Sequence, residues 1–184
     1  MNEVITRYEA LKERVSERWA EFAELMKFVE TETAYLTAPA STKFHLCREG
    51  GLLEHSVNVA ETLLKIKDTL APDISDESCV IVGLLHDLGK AGMPNNPLYI
   101  KNLPDSKWKQ PYYWNSNLVY LSVPVRSMYL IAPRFPLTEE EAQAIVYHDG
   151  QYVEDNRSVA MREERLTLLL QYADTWSSMV AEKK

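Results

Sequence analysis

The chain has 184 residues, 46% of them hydrophobic and 26% charged, with a formal net charge of -7. That is enough for one domain with a substantial core, and the acidic balance argues against broad, sequence-independent attraction to nucleic acid. Two cysteines, Cys47 and Cys79, form no CxxC pair, which points away from a zinc ribbon or thioredoxin-type centre, and no apolar leader or membrane-length run is visible, so a cytoplasmic setting is expected.

From about Val4 to Glu30, Tyr8, Leu11, Val15, Trp19, Phe22, Met26 and Val29 recur at steps of three and four, which predicts one long amphipathic helix. A connector with Pro39 follows. Phe44 to Gly51 reads as a polar turn closed by tandem glycines, suited to special dihedrals and close backbone approach at the entry of a second helix, Leu52 to Ile66. His55 falls on or beside the core face of that helix. Asp73 to Glu77 offers N-caps for a third helix, whose apolar run ends in His86-Asp87. Burying an imidazole or a carboxylate without a partner costs several kcal/mol, so the pair calls for a strong partner or a capped, solvated helix end.

Between Met93 and Ser122 the periodicity disappears. Pro94, Pro97, Pro104 and Pro111 alternate with Tyr99, Trp108, Tyr112, Tyr113 and Trp114, and Lys101, Lys107 and Lys109 lie among them. This stretch reads as an irregular loop, either a lid suited to a phosphate beside a flat ring or aromatics pinning the loop to the core. Pro124 to Ala132 is predicted helical and carries Arg126. Thr138 and Glu141 form a capping box that starts a helix over Glu139 to Tyr147, which ends in His148-Asp149-Gly150. A last helix, Leu166 to Ser178, carries Asp174 after an apolar run. The expected fold is all-α, six or so helices and no strand.

All four histidines, His45, His55, His86 and His148, lie at glycine-rich turns or helix ends beside acidic residues. His55, His86 with Asp87, and Asp174 offer two imidazoles and two carboxylates, a set that leaves positions open on a six-coordinate ion, as catalytic metals require. The pattern H…HD…D, with Gly50-Gly-Leu-Leu-Glu-His55-Ser, Gly83-Leu-Leu-His86-Asp-Leu-Gly-Lys90 and Tyr172-Ala-Asp174 around it, resembles the HD-domain metal-dependent phosphohydrolase superfamily over roughly residues 43–178. Residues 1–36 would then be an N-terminal helical addition to a single HD-type domain spanning 1–184. Within the superfamily, His45 and His148 are similar to positions in the catalytic domain of YhaM-type 3'-5' exoribonucleases. Those enzymes have His-His where this chain has Phe44-His45, His-His-Gly where it has His148-Asp149-Gly150, and an OB-type module that it lacks.

The resemblance implies a helical bundle that holds one or two divalent ions (Mn, Fe, Co, Ni, Mg or Zn) and hydrolyses a phosphoester of a small, nucleotide-like substrate through a metal-activated water. Metal ligands would be His55, His86, Asp87 and Asp174, with His148 and Asp149 for a second ion. Asp87, Lys90 and His45 are the catalytic candidates, and Arg48, Lys90 and Arg126 the phosphate-binding ones. Lys90 could equally complement a helix dipole, and His45 could cap the glycine turn. Exonuclease trimming of RNA or DNA ends and a non-catalytic metal and nucleotide sensor are the alternatives. No extended nucleic acid or membrane partner is expected; a homo-oligomer is compatible with the sequence.

Overall fold

In a computed structural model the described residues are 2–103 and 109–183, so Pro104, Lys107 and Trp108 lie outside them. Seven α-helices make the body: α1 (Asn2–Lys12), α2 (Trp19–Glu32), α3 (Gly51–Leu70), α4 (Asp76–Leu85), α5 (Val123–Ile131), α6 (Glu139–Val146) and α7 (Arg165–Trp176). A π turn, Ser177–Ala181, continues α7, and a 3-10 turn, Leu88–Ala91, follows α4. The all-α expectation holds.

The predicted N-terminal helix is in fact two. Sequence periodicity runs through the break because Val15, inside it, is buried as a helix residue would be. The backbone N–H groups of Ser16 and Glu17, at the entry of α2, donate to Glu77 Oε2 at 2.9 and 2.8 Å. A carboxylate from the first turn of α4 thus satisfies donors at the start of α2. Arg18 then spans three elements: its Nε donates to Glu77 at 2.7 Å, and Nη1 and Nη2 donate to the two oxygens of Glu141 at 2.8 and 2.6 Å.

The second correction is a short antiparallel hairpin, β1 (Tyr99–Lys101) with β2 (Tyr112–Trp114), where no strand was expected. Strands of three residues are too short to leave an alternating signature. Tyr99 and Tyr112 are buried together with Leu98 and packed by Cys47, Leu118 and Val123, so these two tyrosines pin the segment down, while Tyr113 and Trp114 face outward.

α3 is the central helix, lying against α4, α7 and α1. Its start depends on the tandem glycines: Gly50 takes a left-handed conformation (φ 74°), and a Cβ on Gly51 would stand 2.0 Å from the Leu46 carbonyl oxygen. At the α3–α4 crossing a Cβ on Gly83 would meet Ala60 Cα at 2.6 Å. Those two helices therefore touch backbone to backbone, one turn before His86. Ser75 caps α4 through Ser78 N, and the Thr138–Glu141 capping box starts α6. No helix among the described residues is long and apolar enough to cross a membrane.

Candidate metal centre

Four histidine rings run in file across the ends of the helices. Centroid separations are 4.9 Å from His45 to His55, 5.4 Å from His55 to His86 and 4.8 Å from His86 to His148. His55 projects from the first turns of α3, His86 and Asp87 follow the end of α4, His148 follows α6, and Asp174 lies near the end of α7. Ligands from distant parts of the sequence meet because α3 packs against both α4 and α7.

Asp87 is the hub. Its Oδ2 lies 3.4 Å from His55 Nε2, 3.5 Å from His86 Nε2 and 2.5 Å from Lys90 Nζ, while Oδ1 lies 3.5 Å from His148 Nε2. Asp174 Oδ1 stands 3.1 Å from His55 Nε2. Among the described residues three groups are close enough that each could hold an ion: His55, His86 and Asp174; His86, Asp87 and His148; and His45, His55 and Glu182. Asp149 is further out, exposed, with Oδ1 3.7 Å from His148 Nε2.

The ring nitrogens fit a cation. His86 Nδ1 faces Gly83 O at 2.9 Å and His148 Nδ1 faces Ile145 O at 2.8 Å. A carbonyl accepts only, so each Nδ1 keeps its proton, and Nε2, directed into the cluster, is the nitrogen whose lone pair a cation would take in place of a proton. His55 Nε2 and His86 Nε2 are buried and without a hydrogen-bond partner. Such orphaned nitrogens, facing carboxylates, are what a divalent ion would bind.

Electrostatics point the same way. Burial pushes the Asp87 carboxyl up, but Lys90 and the imidazoles of His86, His148 and His55 outweigh it and hold Asp87 well below the usual carboxylate range. Asp174 is likewise held low, burial being outweighed chiefly by His55. Burial pushes His55 and His148 down, yet the carboxylates win: His55 lies well above its ordinary value, and His148 is raised to about 9, mainly by Asp87. Anions that keep their charge and imidazoles that attract protons define a site short of positive charge, which a divalent cation supplies.

The remaining expected residues divide. Lys90 lies against Asp87, and burial lowers but that carboxylate raises its pKa, so the ammonium stays charged. His45 lies against His55 with the two rings tilted at 47° and does not cap the glycine turn; its Nε2 lies 3.8 Å from Glu182 Oε2. Arg48 pairs with Glu54 at the protein surface. Arg126, expected to bind phosphate, is only 1% exposed and donates to the carbonyls of Val119 and Leu121 at 3.1 and 3.4 Å. In this position it supports the 115–122 loop rather than a ligand. Three residues near the cluster went unread in the sequence. Glu182 faces His55 Nδ1, Asn58 donates to Glu182, and Ser127 binds both ends of the His86–Gly89 turn. Glu182 sits in Ala-Glu-Lys-Lys, which reads as a solvated tail, and Asn58 and Ser127 carry no local motif.

Residues 52–176 match the HD domain family. The chain is an HD domain protein. This HD domain is also 30% identical over 128 residues to the dihydroneopterin 2',3'-cyclic phosphate phosphodiesterase of Methanocaldococcus jannaschii; the match covers 67% of the chain and 47% of that protein, so the chain spans about half the length of its relative. No solved structure matches the chain significantly.

Proposed function

We propose that this HD domain is a metal-dependent phosphohydrolase acting on a small, nucleotide-like phosphoester. The observation that carries the reading is the convergence of His55, His86, Asp87 and Asp174, with buried Nε2 atoms lacking partners and a charged lysine beside the shared aspartate. In this reading those four residues would hold one divalent ion, and His148 with Asp149 would help hold a second; Asp87 turns Oδ2 toward His55 and His86 and Oδ1 toward His148. A divalent ion there supplies Lewis acidity toward a phosphoryl oxygen and acidifies water toward neutral pH. Lys90 neutralises phosphate charge as it develops, and Asp87 keeps the ammonium in place. His45 orients the substrate at the rim.

A cavity of about 850 Å³ adjoins this rim, lined by Lys43, Phe44, His45, Cys47, Arg48 and Glu182 among others. Its size suits a nucleotide-sized ligand, with cations for phosphate and Phe44, 73% exposed, for a flat ring. The curated relative acts, by its name, on a cyclic phosphate of a pterin, which supports a phosphoester attached to a heteroaromatic group. We read residues 43–178 as the catalytic core and 1–36 as a helical addition within the same single domain, a reading supported by Arg18, which joins the start of α2 to α4 and α6.

The test is phosphate release, or ring opening followed by chromatography, from nucleoside mono- and triphosphates, 2',3'-cyclic phosphates, cyclic dinucleotides and short oligonucleotides. Each is run with Mn, Co, Ni or Mg, and Asp87→Ala is the control. Activity on a small phosphoester that disappears in the control supports the proposal. Stepwise shortening of oligonucleotides alone would favour the exonuclease reading suggested by the likeness to YhaM-type domains. Binding of metal and nucleotide without turnover under every condition would favour a sensor.

A further inference from the structure

His55 differs from the other buried histidines in how its Nδ1 is held. His86 and His148 follow the ends of α4 and α6, and each finds a backbone carbonyl three residues earlier. His55 lies inside α3, where the carbonyls of the preceding turn are engaged in the helix. Its Nδ1 faces a side chain instead: both oxygens of Glu182 lie 3.1 Å away, and Glu182 is only 8% exposed. A neutral imidazole has one proton and one lone pair. With a carboxylate on Nδ1, the proton stays there and the lone pair points from Nε2 toward Asp87 and Asp174.

Two further features make this a built arrangement. Glu182 follows the π turn, and its N–H bonds Ser177 O at 2.9 Å, five residues back; the extra residue rotates the chain relative to a continued α-helix. Asn58 Nδ2 donates to Glu182 Oε1 at 2.9 Å, and Asn58 Oδ1 accepts from Arg7 Nη2 at 2.8 Å, which fixes the direction of the amide. Arg7 is itself held on both oxygens of Glu61 at 2.9 and 2.6 Å.

We infer that Glu182 is a positioning residue of the metal centre: it fixes the tautomer and ring orientation of His55 and raises the basicity of Nε2, with Asn58 and Arg7 holding it from behind. The inference rests on His55 being a metal ligand. Carboxylates that hold a ligating histidine in this way are worth about 10–100-fold in metal affinity.

The experiment is competition for Co(II) or Mn(II) against a chromophoric chelator, with the bound metal also counted by elemental analysis. Variants are Glu182→Gln, which keeps the side-chain shape, Asn58→Ala and, in parallel, His55→Ala. Expected for Glu182→Gln is a metal affinity at least about 10-fold weaker, a shifted Co(II) visible band, unchanged stoichiometry and an unchanged melting temperature of the cation-free protein. Asn58→Ala should weaken affinity less. Wild-type affinity in Glu182→Gln overturns the inference. So does loss of one bound ion per chain, because His45, His55 and Glu182 are themselves close enough to hold a metal, and Glu182 would then be a ligand. Wild-type affinity and stoichiometry in His55→Ala would overturn the ligand assignment itself, whatever Glu182→Gln does.

Discussion

Ser127 grips the turn that carries His86 and Asp87. Its hydroxyl donates to the His86 carbonyl at 2.9 Å and accepts from Gly89 N–H at 2.8 Å, all of it buried. Ser127→Ala would leave both backbone groups unpaired, so it should cost about 1–3 kcal/mol in denaturant unfolding and weaken metal binding as the turn loosens. An unchanged unfolding midpoint would mean that water replaces the hydroxyl. Residues of this kind explain what the sequence made legible. His86, Asp87 and Asp174 stood out because polar groups at the ends of apolar runs need a partner. Ser127, Asn58 and Glu182 act through contacts with residues far along the chain, and no local pattern marks a serine as a clamp.

Among the elements, the α3–α4 crossing sets the spacing of the histidines. Gly83→Ala would force a methyl against Ala60, and overpacking of this kind costs about 1–3 kcal/mol. The expected outcome is a lower melting temperature together with weaker metal binding, because His55 and His86 ride on the two separated helices. The break between α1 and α2 yields a pH prediction. Burial pushes the carboxyls of Glu77 and Glu141 up, but bonds from Arg18 and backbone N–H groups prevail and hold both below their ordinary values. Their contribution to stability is therefore full at neutral pH and is lost as pH falls below the unfolded value of about 4.3. Arg18→Met leaves these buried carboxylates their hydrogen-bond donors but no countercharge, and should cost about 3–5 kcal/mol at pH 7. The difference from wild type, followed by thermal melts, should narrow as the pH approaches 3. A constant difference would rule out the ionic contribution. The periodicity that revealed most of the helices concealed this break, since the carboxylate that serves it comes from α4.

At the scale of the molecule, the candidate ligands come from α3, the end of α4, the end of α6 and α7, so they converge only when the bundle is folded. Metal binding and folding are then linked: at a free cation concentration about 100 times its Kd, the folded state gains about 2.7 kcal/mol. Removal of metal by a chelator should lower the melting temperature, and restored Mn or Co should raise it in proportion to the logarithm of its concentration; His55→Ala should show a smaller shift, since it takes away a ligand of only one of the two proposed ions. The helical order was legible because the helices carry their own apolar faces, and α4 and α6 their own caps. The depth of this coupling was not, because it depends on which helix ends become neighbours. An ion on His55 and Asp174 would also act as a reversible cross-link, closing a loop that contains most of the chain. Like a staple that needs no oxidation, it would hold α7 against α3 in the folded chain and oppose local opening while it lasts, so protease nicking near α7 would report metal occupancy even where no turnover is measured.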